Sequence, residues 1–350
     1  MLKTLHLNAN DAADVEWAAS LLRAGRLVAF ATETVYGLGA NALSAEAVAG
    51  IFQAKQRPRW DPLIVHVAAY EEIGSVAVLN AALRARVERL AAAFWPGPLT
   101  MLLPRTAAVP AEVTAGRSLV GVRVPSHPAA QALLRAARVP VAAPSANLFG
   151  HTSPTTAEHV LADLDGRIDA VLDAGATQVG VESTVVDVTQ TPMVVYRPGA
   201  VSTQQLEEVC GVRVELFVPA VEDERREPES LPSPGVGMRH YAPRARVLLV
   251  KGEVAAIEDA VRGAKDAERV GVLLPEGWSV NGGADGRTED GVVVWRWGRW
   301  DRPQELAAGL YAGMRMLDAR DVEVIVCPLP AEGALNDAIR DRLLKAARSA

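Results

Sequence analysis

The first 215 residues alternate between short apolar runs and longer amphipathic stretches, and this alternation constrains the fold most. The runs are rich in β-branched residues and end in turn-forming residues, which is typical of buried strands, whereas the stretches follow helical spacing. The predicted helices are Ala12–Ala24, Ala45–Lys55, Ala81–Phe94, Pro128–Arg138 and Thr155–Leu164. The predicted strands are Leu27–Ala31, Leu63–Val67, Leu99–Leu103, Val120–Val124, Val139–Ala142, Ala170–Leu172, Ser183–Val188 and Met193–Tyr196. Irregular connections favour a twisted, mixed α/β sheet.

A second, smaller α/β pattern begins after residue 244. Residues 216–244 are rich in proline, glycine and charge, so we interpret them as a linker between domains 1–215 and 245–350. In the second domain, the runs RVLLV, RVGVLL, VVVWRW and VEVIVCPL indicate strands. The stretches between them indicate helices, which predicts a three-layer, Rossmann-like unit. It lacks a G-x-G-x-x-G sequence after its first strand, so no dinucleotide site is assigned there.

Charge and cysteine content narrow the functional classes. The 350 residues carry a formal net charge of −6, with 17 basic and 20 acidic residues over 1–215. This balance argues against a strongly basic nucleic-acid-binding module. The two cysteines, Cys210 and Cys327, form no metal or disulfide pattern, so we expect a cytoplasmic protein. No run approaches the length of a membrane span, and we expect no membrane association.

Polar side chains cluster where apolar strands of the first domain end. The clusters are Thr32, Glu33 and Thr34; Lys55, Arg57, Asp61 and His66; Ser145, Asn147, His151, Thr152 and Ser153; and Ser183, Thr184 and Arg197. Ligands collect at strand ends in open α/β sheets, so these clusters are expected to converge. Lys55 and Arg57 suit a polyphosphate, as a point charge and a bidentate fork. Gly37 and Gly39 permit positive φ and close approach of the backbone, so we expect them to let the backbone bend around a ligand.

No nucleophile motif, P-loop or metalloprotease motif is present. Cations and hydroxyls without a nucleophile suit phosphoryl or nucleotidyl transfer by positioning and charge neutralisation. Simpler interpretations of individual residues stay open at this point. Thr34 fits an ordinary strand end, His66 a core histidine, and Lys55 and Arg57 a helix C-terminus.

Taken together, the motifs resemble a known family. They are TETVYGLGANA, KQRP followed by PLIVHV, FWPGPLTMLL, VGVRVPSHP, APSANLFGHTSPT, ESTVVDV, YRPGA and SPGVGMRHYAP. In this order they resemble the YrdC-type L-threonylcarbamoyladenylate synthases, in the long form with a C-terminal Rossmann-like domain. The resemblance is dense over residues 10–244 and looser beyond, where NDAIRDRLLKAA matches best.

The resemblance implies an enzyme that makes threonylcarbamoyl-AMP and pyrophosphate from L-threonine, bicarbonate or CO2, and ATP. Mg²⁺ is expected to accompany ATP, and no metal-ligating residue is assigned. The product would supply the enzymes that transfer the threonylcarbamoyl group to tRNA. Strong direct binding of tRNA by this chain is not expected.

The family's functional residues carry over to positions that match its motifs. The threonine site would comprise Thr34, His66, Arg123, the backbone at Ala143, and Ser183. The ATP site would comprise Lys55, Arg57, Asp61, Leu119, Ser145, Asn147, Ser153, Arg197 and Tyr241, with Lys55 and Arg57 catalytic. The linker residues Arg239, His240, Tyr241 and Arg244 are unusual for a spacer, and Tyr241 would close over ATP.

Three positions depart from the family pattern. Asp61 replaces a usual Asn, so Arg57, Arg59 or Mg²⁺ must compensate a carboxylate near phosphates. Leu119 replaces a common Thr and would contribute only backbone, while Ala31 replaces a frequent Pro.

Two other functions remain to be distinguished. One is an RNA- or ribosome-associated factor that binds a nucleotide, and the charge balance argues against it. The other is a carbamoyl-transfer enzyme on the same fold, which usually carries additional acylphosphatase and zinc-finger-like modules.

Overall fold

The computed structural model describes residues 3–218, 230–236, 241–264, 266–280 and 292–348. Its contacts divide the chain into two units. The first comprises Met1–Phe149, Pro154–Gln178 and Glu182–Gly237, and the second comprises Gly150–Ser153, Val179–Val181 and Met238–Ala350. Two short segments of the predicted first domain therefore belong to the second unit. Among the described residues, no helix is long and apolar enough to cross a membrane.

The described residues of the first unit form one 11-stranded sheet with helices. Its strands are β1 (Leu5–Asn8), β2 (Val28–Ala31), β3 (Tyr36–Asn41), β4 (Ile64–His66), β5 (Leu99–Pro104), β6 (Leu119–Arg123), β7 (Val141–Ala142), β8 (Ala170–Asp173), β9 (Thr184–Asp187), β10 (Met193–Arg197) and β11 (Val214–Leu216). Its helices are α1 (Ala12–Arg23), α2 (Ala45–Lys55), α3 (Ala81–Phe94), α4 (Pro128–Ala137), α5 (Ala157–Leu164) and α6 (Thr203–Cys210). Two 3₁₀ helices span Tyr70–Ser75 and Ala111–Thr114.

The strand order is β1-β8-β2-β3-β7-β4-β6-β5-β9-β10-β11, with parallel and antiparallel neighbours. The predicted mixed sheet is therefore confirmed. The five predicted helices are present, and α5 begins two residues later than expected because Thr156 caps it. The strands β1, β3 and β11 and the helix α6 were not predicted.

Gly37 and Gly39 do not adopt the positive φ that glycine permits, but they do allow close approach of the backbone. Both residues lie within β3, and neither has a positive φ. A Cβ atom on Gly39 would lie 2.9 Å from the Phe30 ring and 2.9 Å from Val141. A Cβ on Gly37 would lie 3.2 Å from the Cβ of Ala143. These glycines therefore let β3 pack closely against its neighbours, and they do not shape a turn.

The second unit contains a four-stranded parallel sheet in the order β12-β15-β13-β14. Its strands are β12 (Arg246–Lys251), β13 (Val270–Glu276), β14 (Val292–Arg299) and β15 (Val324–Leu329), and its helices are α7 (Val254–Gly263), α8 (Pro303–Asp318) and α9 (Leu335–Ala346). In β13, Val272 belongs to an apolar cluster with Ile257 of α7. The preceding Gly271 lies against Leu317 of α8, so helices cover both faces. The predicted three-layer, Rossmann-like arrangement is confirmed.

Candidate active site

One face of β4, β6, β5 and β9 carries part of the predicted site. Successive residues of a strand point to opposite faces. Val65 and Val122 point into the main core, whereas Ile64 packs with Leu102 and Val185 on the other face. The polar residues with the parity of this second face are His66, Arg123, Thr100 and Ser183. All four are buried. The strands therefore bring together side chains that lie far apart in the sequence.

The loop between β2 and β3 is fixed by the Thr32 hydroxyl. Thr32 Oγ1 donates to the carbonyl of Val35 at 2.7 Å and accepts from the backbone N–H groups of Thr34 and Val35. It also lies 2.8 Å from Thr34 Oγ1. The Thr32 hydroxyl therefore holds the predicted substrate residue Thr34 in one orientation.

Arg123, at the end of β6, contacts three residues from two other chain segments. Its Nη1 donates to Thr34 Oγ1 at 3.0 Å, and its Nε donates to the carbonyl of Gly97 at 3.2 Å. Its Nη2 lies 2.7 Å from Glu33 Oε1 in an ion pair whose two side chains are almost fully buried. These contacts use three of the five N–H groups of the guanidinium. Arg123 is therefore rigidly held and retains hydrogen-bonding capacity.

His66 lies opposite Arg123 in the parallel pairing of β4 and β6. Burial, together with the positive charge of Arg123, lowers the pKa of His66 to about 3, so the imidazole is neutral at pH 7. Its buried Nδ1 has no hydrogen-bond partner among the described residues. An unpaired buried nitrogen costs about 1–3 kcal/mol, which favours a ligand-binding role over a satisfied core histidine.

Ser183, which precedes β9, has two side-chain partners. Its hydroxyl lies 2.8 Å from Thr100 Oγ1 and accepts from Arg197 Nη2 at 3.1 Å. Arg197 Nε also donates to the carbonyl of Ser183 at 3.1 Å. The structure thus joins two predicted residues, one assigned to threonine and one to the nucleotide, through a direct hydrogen bond.

Lys55, the last residue of α2, is fully buried. Its Nζ donates to the carbonyls of Ser145 at 2.6 Å and Asn147 at 2.5 Å, and Phe149 N donates to the Lys55 carbonyl. The loop that carries Ser145 and Asn147 is therefore tied to the end of α2. Three predicted nucleotide residues lie together, with the ammonium group shaping the loop.

Arg57 and Asp61 form a second buried ion pair. Arg57 Nη2 lies 2.9 Å from Asp61 Oδ2, and the same guanidinium donates to the carbonyls of Asp61 and Pro62. Its centre also lies 6.0 Å from the Phe149 ring centroid. Arg57, one of the three groups expected to compensate the Asp61 carboxylate, therefore forms an ion pair with it.

Two family profiles and several curated proteins match this chain. Residues 20–199 match the profile of the family described as Telomere recombination, and residues 201–348 match that of the Threonylcarbamoyl-AMP synthase, C-terminal domain. The Threonylcarbamoyl-AMP synthase of Pyrococcus abyssi is 41% identical, covering 95% of this chain and 94% of that protein. The chain belongs to the threonylcarbamoyl-AMP synthase family. It is therefore an enzyme of the nucleotidyl-transfer type, as predicted.

Further relatives support this family assignment over the whole chain. The Threonylcarbamoyl-AMP synthase of Bacillus subtilis is 40% identical, covering 98% of this chain and 95% of that protein. The crystal structure of P. abyssi Sua5 complexed with L-threonine has a TM-score of 0.85 and 38% identity, covering 99% and 97% of the two chains. The fold predicted from the resemblance is therefore confirmed for this threonylcarbamoyl-AMP synthase family member.

Two further residues of this family member, Ala143 and Leu119, were expected to contribute backbone. Ala143 is buried, and its N–H donates to the carbonyl of Ile64 at 2.8 Å. Leu119 lies half-buried at the start of β6, whereas Arg123 ends that strand. Leu119 packs against the apolar cluster of Ile64, Leu102 and Val185. The structure thus places Leu119 away from the Arg123 end of β6.

Ser153 and Tyr241 belong to the second unit. Ser153 is buried beside Thr152, whose carbonyl accepts from Arg315 Nη2 at 2.5 Å. Tyr241 is buried with φ 65°, and its ring centroid lies 5.9 Å from that of Tyr311. Arg244 donates to the Asp318 carbonyl at 2.6 Å. Arg239 and His240 lie outside the described residues, as do parts of the predicted linker.

The described part of the linker that precedes Tyr241 packs on the first unit. Arg117 donates to the Ser230 hydroxyl at 2.9 Å and to its carbonyl at 2.7 Å. Leu231 N donates to the carbonyl of Trp60 at 3.0 Å, and Ser233 is buried. Residues 230–236 are therefore a docked segment, whereas the sequence suggested only a spacer or lid.

Among the described residues, no group of three or more His, Cys, Asp or Glu side chains could hold a metal ion. The buried carboxylates of Glu33 and Asp61 are each paired with an arginine. These residues therefore do not form a dedicated magnesium site, and Mg²⁺ bound by the phosphates of ATP remains a prediction.

The sequence did not predict Thr100 as a site residue, and it predicted no role for Glu33. Thr100 is a hydroxyl residue within the apolar strand LTMLLP, which is the signal that could have revealed it. Glu33 stands between two threonines that the analysis singled out. Its role depends on Arg123, which lies 90 residues along the chain, so sequence spacing could not reveal it.

Proposed function

We propose that this chain converts L-threonine, bicarbonate or CO2, and ATP to threonylcarbamoyl-AMP and pyrophosphate. The observation that carries the proposal is the buried Arg123, held against Thr34 and opposite a neutral His66 with an unpaired nitrogen. A rigid arginine with N–H groups to spare suits a small carboxylate. The relatives named threonylcarbamoyl-AMP synthase, and the one complexed with L-threonine, support threonine as that ligand.

In this proposal, the threonine carboxylate binds Arg123, and the Thr34 and Ser183 hydroxyls and the His66 imidazole contact its polar groups. The Ala143 backbone completes the pocket. Pairing of the substrate hydroxyl supports selection of threonine over valine. A valine side chain would leave buried polar groups without partners, and such losses discriminate more strongly than a change of size alone.

ATP is proposed to bind beside this pocket. Arg197 supports this arrangement because it is hydrogen-bonded to Ser183 and carries a positive charge. Lys55 and Arg57 are proposed to neutralise phosphate charge. Since both already donate to backbone carbonyls, phosphate binding requires them to share or exchange those contacts. Ser145, Asn147, Ser153 and Tyr241 remain predicted nucleotide residues on the strength of the resemblance.

The chemistry needs no protein nucleophile. The threonine amine loses a proton and forms a bond to the carbon of CO2, which gives N-carboxythreonine. Its new carboxylate oxygen attacks the α-phosphorus of ATP, and the bond between that phosphorus and the bridging oxygen breaks. Pyrophosphate carries away the electron pair. The protein residues bind, orient and balance charge, which is how phosphoryl-type transfers are generally accelerated.

The product is a mixed anhydride of a carbamic acid and AMP, and such compounds are acyl donors. We propose that enzymes which transfer the threonylcarbamoyl group to tRNA consume it. Mg²⁺, arriving with ATP, is proposed to offset the negative charge of the phosphates when bound.

Pyrophosphate release from ATP tests this function. It should require both L-threonine and bicarbonate in CO2-depleted buffer. Arg123→Ala should lower kcat/KM for threonine by about 100-fold or more, because a buried charge-assisted contact is lost. The matched control is Arg23→Ala, since Arg23 forms an exposed pair with Glu16 and should leave activity unchanged.

Pyrophosphate release that does not depend on threonine and bicarbonate would refute the proposal. Turnover supported instead by carbamoyl phosphate would indicate a carbamoyl-transfer enzyme. Nucleotide binding without turnover, together with retention on heparin, would indicate an RNA-associated factor.

A further inference from the structure

Glu33 is a buried carboxylate that the proposed reaction does not use. It lies directly before Thr34 and is about as buried as the arginine that it contacts. Oε1 lies 2.7 Å from Arg123 Nη2, and Oε2 accepts from the backbone N–H of Ser126 at 3.1 Å. Both carboxylate oxygens therefore face N–H donors, one at the end of β6 and one in the chain that follows it.

The charge state of Glu33 is set by Arg123. Burial raises the pKa of Glu33, but the charge and hydrogen bond of Arg123 outweigh burial and leave this pKa below its usual value. Glu33 is therefore ionised at neutral pH. A buried ion pair is costly to assemble, so its occurrence beside a proposed substrate residue favours a role in that site.

The contacts of Arg123 show what Glu33 contributes. The Gly97 carbonyl holds one end of the guanidinium, Thr34 holds one terminal nitrogen, and Glu33 holds the other. Without Glu33, the guanidinium could still turn about the line that joins the other two contacts, and this would tilt its plane. A bidentate carboxylate contact requires that this plane be fixed.

We propose that Glu33 is a positioning residue that fixes Arg123 for the substrate carboxylate and supplies the negative charge that favours a zwitterionic amino acid. This inference rests on the proposed function, in which threonine binds at Arg123. Threonine carries an ammonium group as well as a carboxylate. Arg123 alone would attract the carboxylate and repel the ammonium, and the Glu33 charge offsets that repulsion.

Two further ionisable groups, Arg197 and His66, define the surroundings. Arg197, held by Ser183, adds a second buried cation on the proposed nucleotide side. His66 is neutral. Among the described residues, Glu33 is the carboxylate in contact with Arg123. Removal of its negative charge would leave the positive charges of Arg123 and Arg197 without that counter-charge.

Glu33→Gln is the informative variant because an amide cannot replace both oxygens. Arg123 Nη2 and Ser126 N each need an acceptor, whereas glutamine offers one oxygen and one NH2 group. Glu16→Gln is the matched control, since Glu16 forms an exposed pair with Arg23. Glu33→Asp retains the charge but shortens the side chain by one methylene group, which withdraws the carboxylate from Arg123 and should raise the KM for threonine.

The experiment measures pyrophosphate release for the full chain. The KM values for threonine and ATP are compared with the inhibition constant of 3-hydroxybutanoate, which keeps the carboxylate and hydroxyl of threonine but lacks the ammonium. In Glu33→Gln, the KM for threonine should rise about tenfold or more, because a buried charge partner is lost. The KM for ATP should change by less than about twofold, and 3-hydroxybutanoate should lose less affinity than threonine does.

The outcomes separate the two proposals. If the wild type shows no threonine-dependent release, the proposed function fails and this inference fails with it. If the wild type is active and Glu33→Gln keeps its threonine KM, only this inference is overturned. Equal losses for threonine, ATP and 3-hydroxybutanoate would assign Glu33 a merely structural role and also overturn it. If Glu33→Gln does not fold, Glu33→Asp decides: a raised threonine KM with unchanged ATP KM supports the inference, and wild-type values for both refute it.

Discussion

Two arginine–carboxylate pairs of the first unit are buried, whereas Arg299 and Glu305 of the second unit form their pair at the surface. The buried pairs join Arg57 to Asp61 and Arg123 to Glu33, and each side chain is at most 6% exposed. Arg299 and Glu305 are 51% and 38% exposed. The distance from nitrogen to oxygen is short in all three pairs, at 2.9, 2.7 and 2.5 Å. Their surroundings therefore decide what each pair contributes.

The difference shows where this chain accepts an energetic cost. Removing two charges from water costs several kcal/mol per ion, and a buried pair recovers this only with good geometry and further hydrogen bonds. Both buried pairs of the first unit have such hydrogen bonds, because Arg57 donates to the carbonyl of Pro62 and Arg123 donates to the carbonyl of Gly97. Exposed pairs incur little cost and contribute little. Both buried pairs include residues that the resemblance assigns to substrate binding. Such costly ion pairs are expected in a binding site.

The largest expected effect comes from breaking the Arg57–Asp61 pair. Asp61→Ala leaves Arg57 buried without its counter-charge, so the free energy of unfolding should fall by about 3–5 kcal/mol. Asp61→Asn is the control, because it keeps the shape and an acceptor and restores the residue usual in the family, and it should cost less. Chemical denaturation of both variants measures this. An Asp61→Ala chain as stable as the wild type would remove the distinction between buried and exposed pairs.

A smaller effect is expected from acidification at His66. The pKa of His66 is lowered by burial and by Arg123, from an ordinary value of 6.5 to about 3. Below pH 6.5 the unfolded chain therefore binds a proton that the folded chain does not, and stability falls as pH falls. Between pH 7 and pH 5 the loss from this residue should be about 2 kcal/mol.

Denaturation at several pH values checks this prediction. His66→Gln should flatten the dependence between pH 7 and pH 5, while the exposed His6→Gln should keep it. His127, whose pKa burial also lowers, contributes with the same sign and remains in both variants. An unchanged slope in His66→Gln would show that a protonated imidazole is accommodated beside Arg123.

The smallest effect is expected at the exposed pair. Hydrogen bonds from Arg299 lower the pKa of Glu305 to about 2, yet both groups are solvated. Glu305→Gln should leave the thermal unfolding midpoint within experimental scatter and should leave turnover unchanged, because water and salt screen this pair. A loss comparable to that of Asp61→Ala would mean that burial does not set the contribution of these pairs.

Long, periodic elements of this chain were predictable from the sequence. Helices such as Ala81–Phe94 and Pro128–Ala137 carry several turns of regular apolar spacing, so their type and position were evident. The strand β1 escaped prediction because only Leu7 of its four residues is buried, so it carries no continuous apolar run. The strand β3 escaped because its two glycines resemble a turn, although they serve the contacts with Phe30 and Ala143.

The candidate site was predictable in its residue types but not in its pairings. The sequence indicated that Thr34, Lys55, Arg123 and Ser183 carry the chemistry. It could not indicate that Lys55 binds the carbonyls of Ser145 and Asn147, or that Thr100 contacts Ser183. Those contacts join segments that are 83 to 92 residues apart.

The sequence alone determined the α/β class, the two-part organisation, the family and the residues expected at the site. These properties depend on local periodicity and on motifs that are contiguous in the chain. The tertiary structure alone decided that Glu33 faces Arg123, that Arg57 compensates Asp61, and that His66 is neutral. Ion pairing and desolvation depend on distances through space, and only the order and register of the strands set those distances.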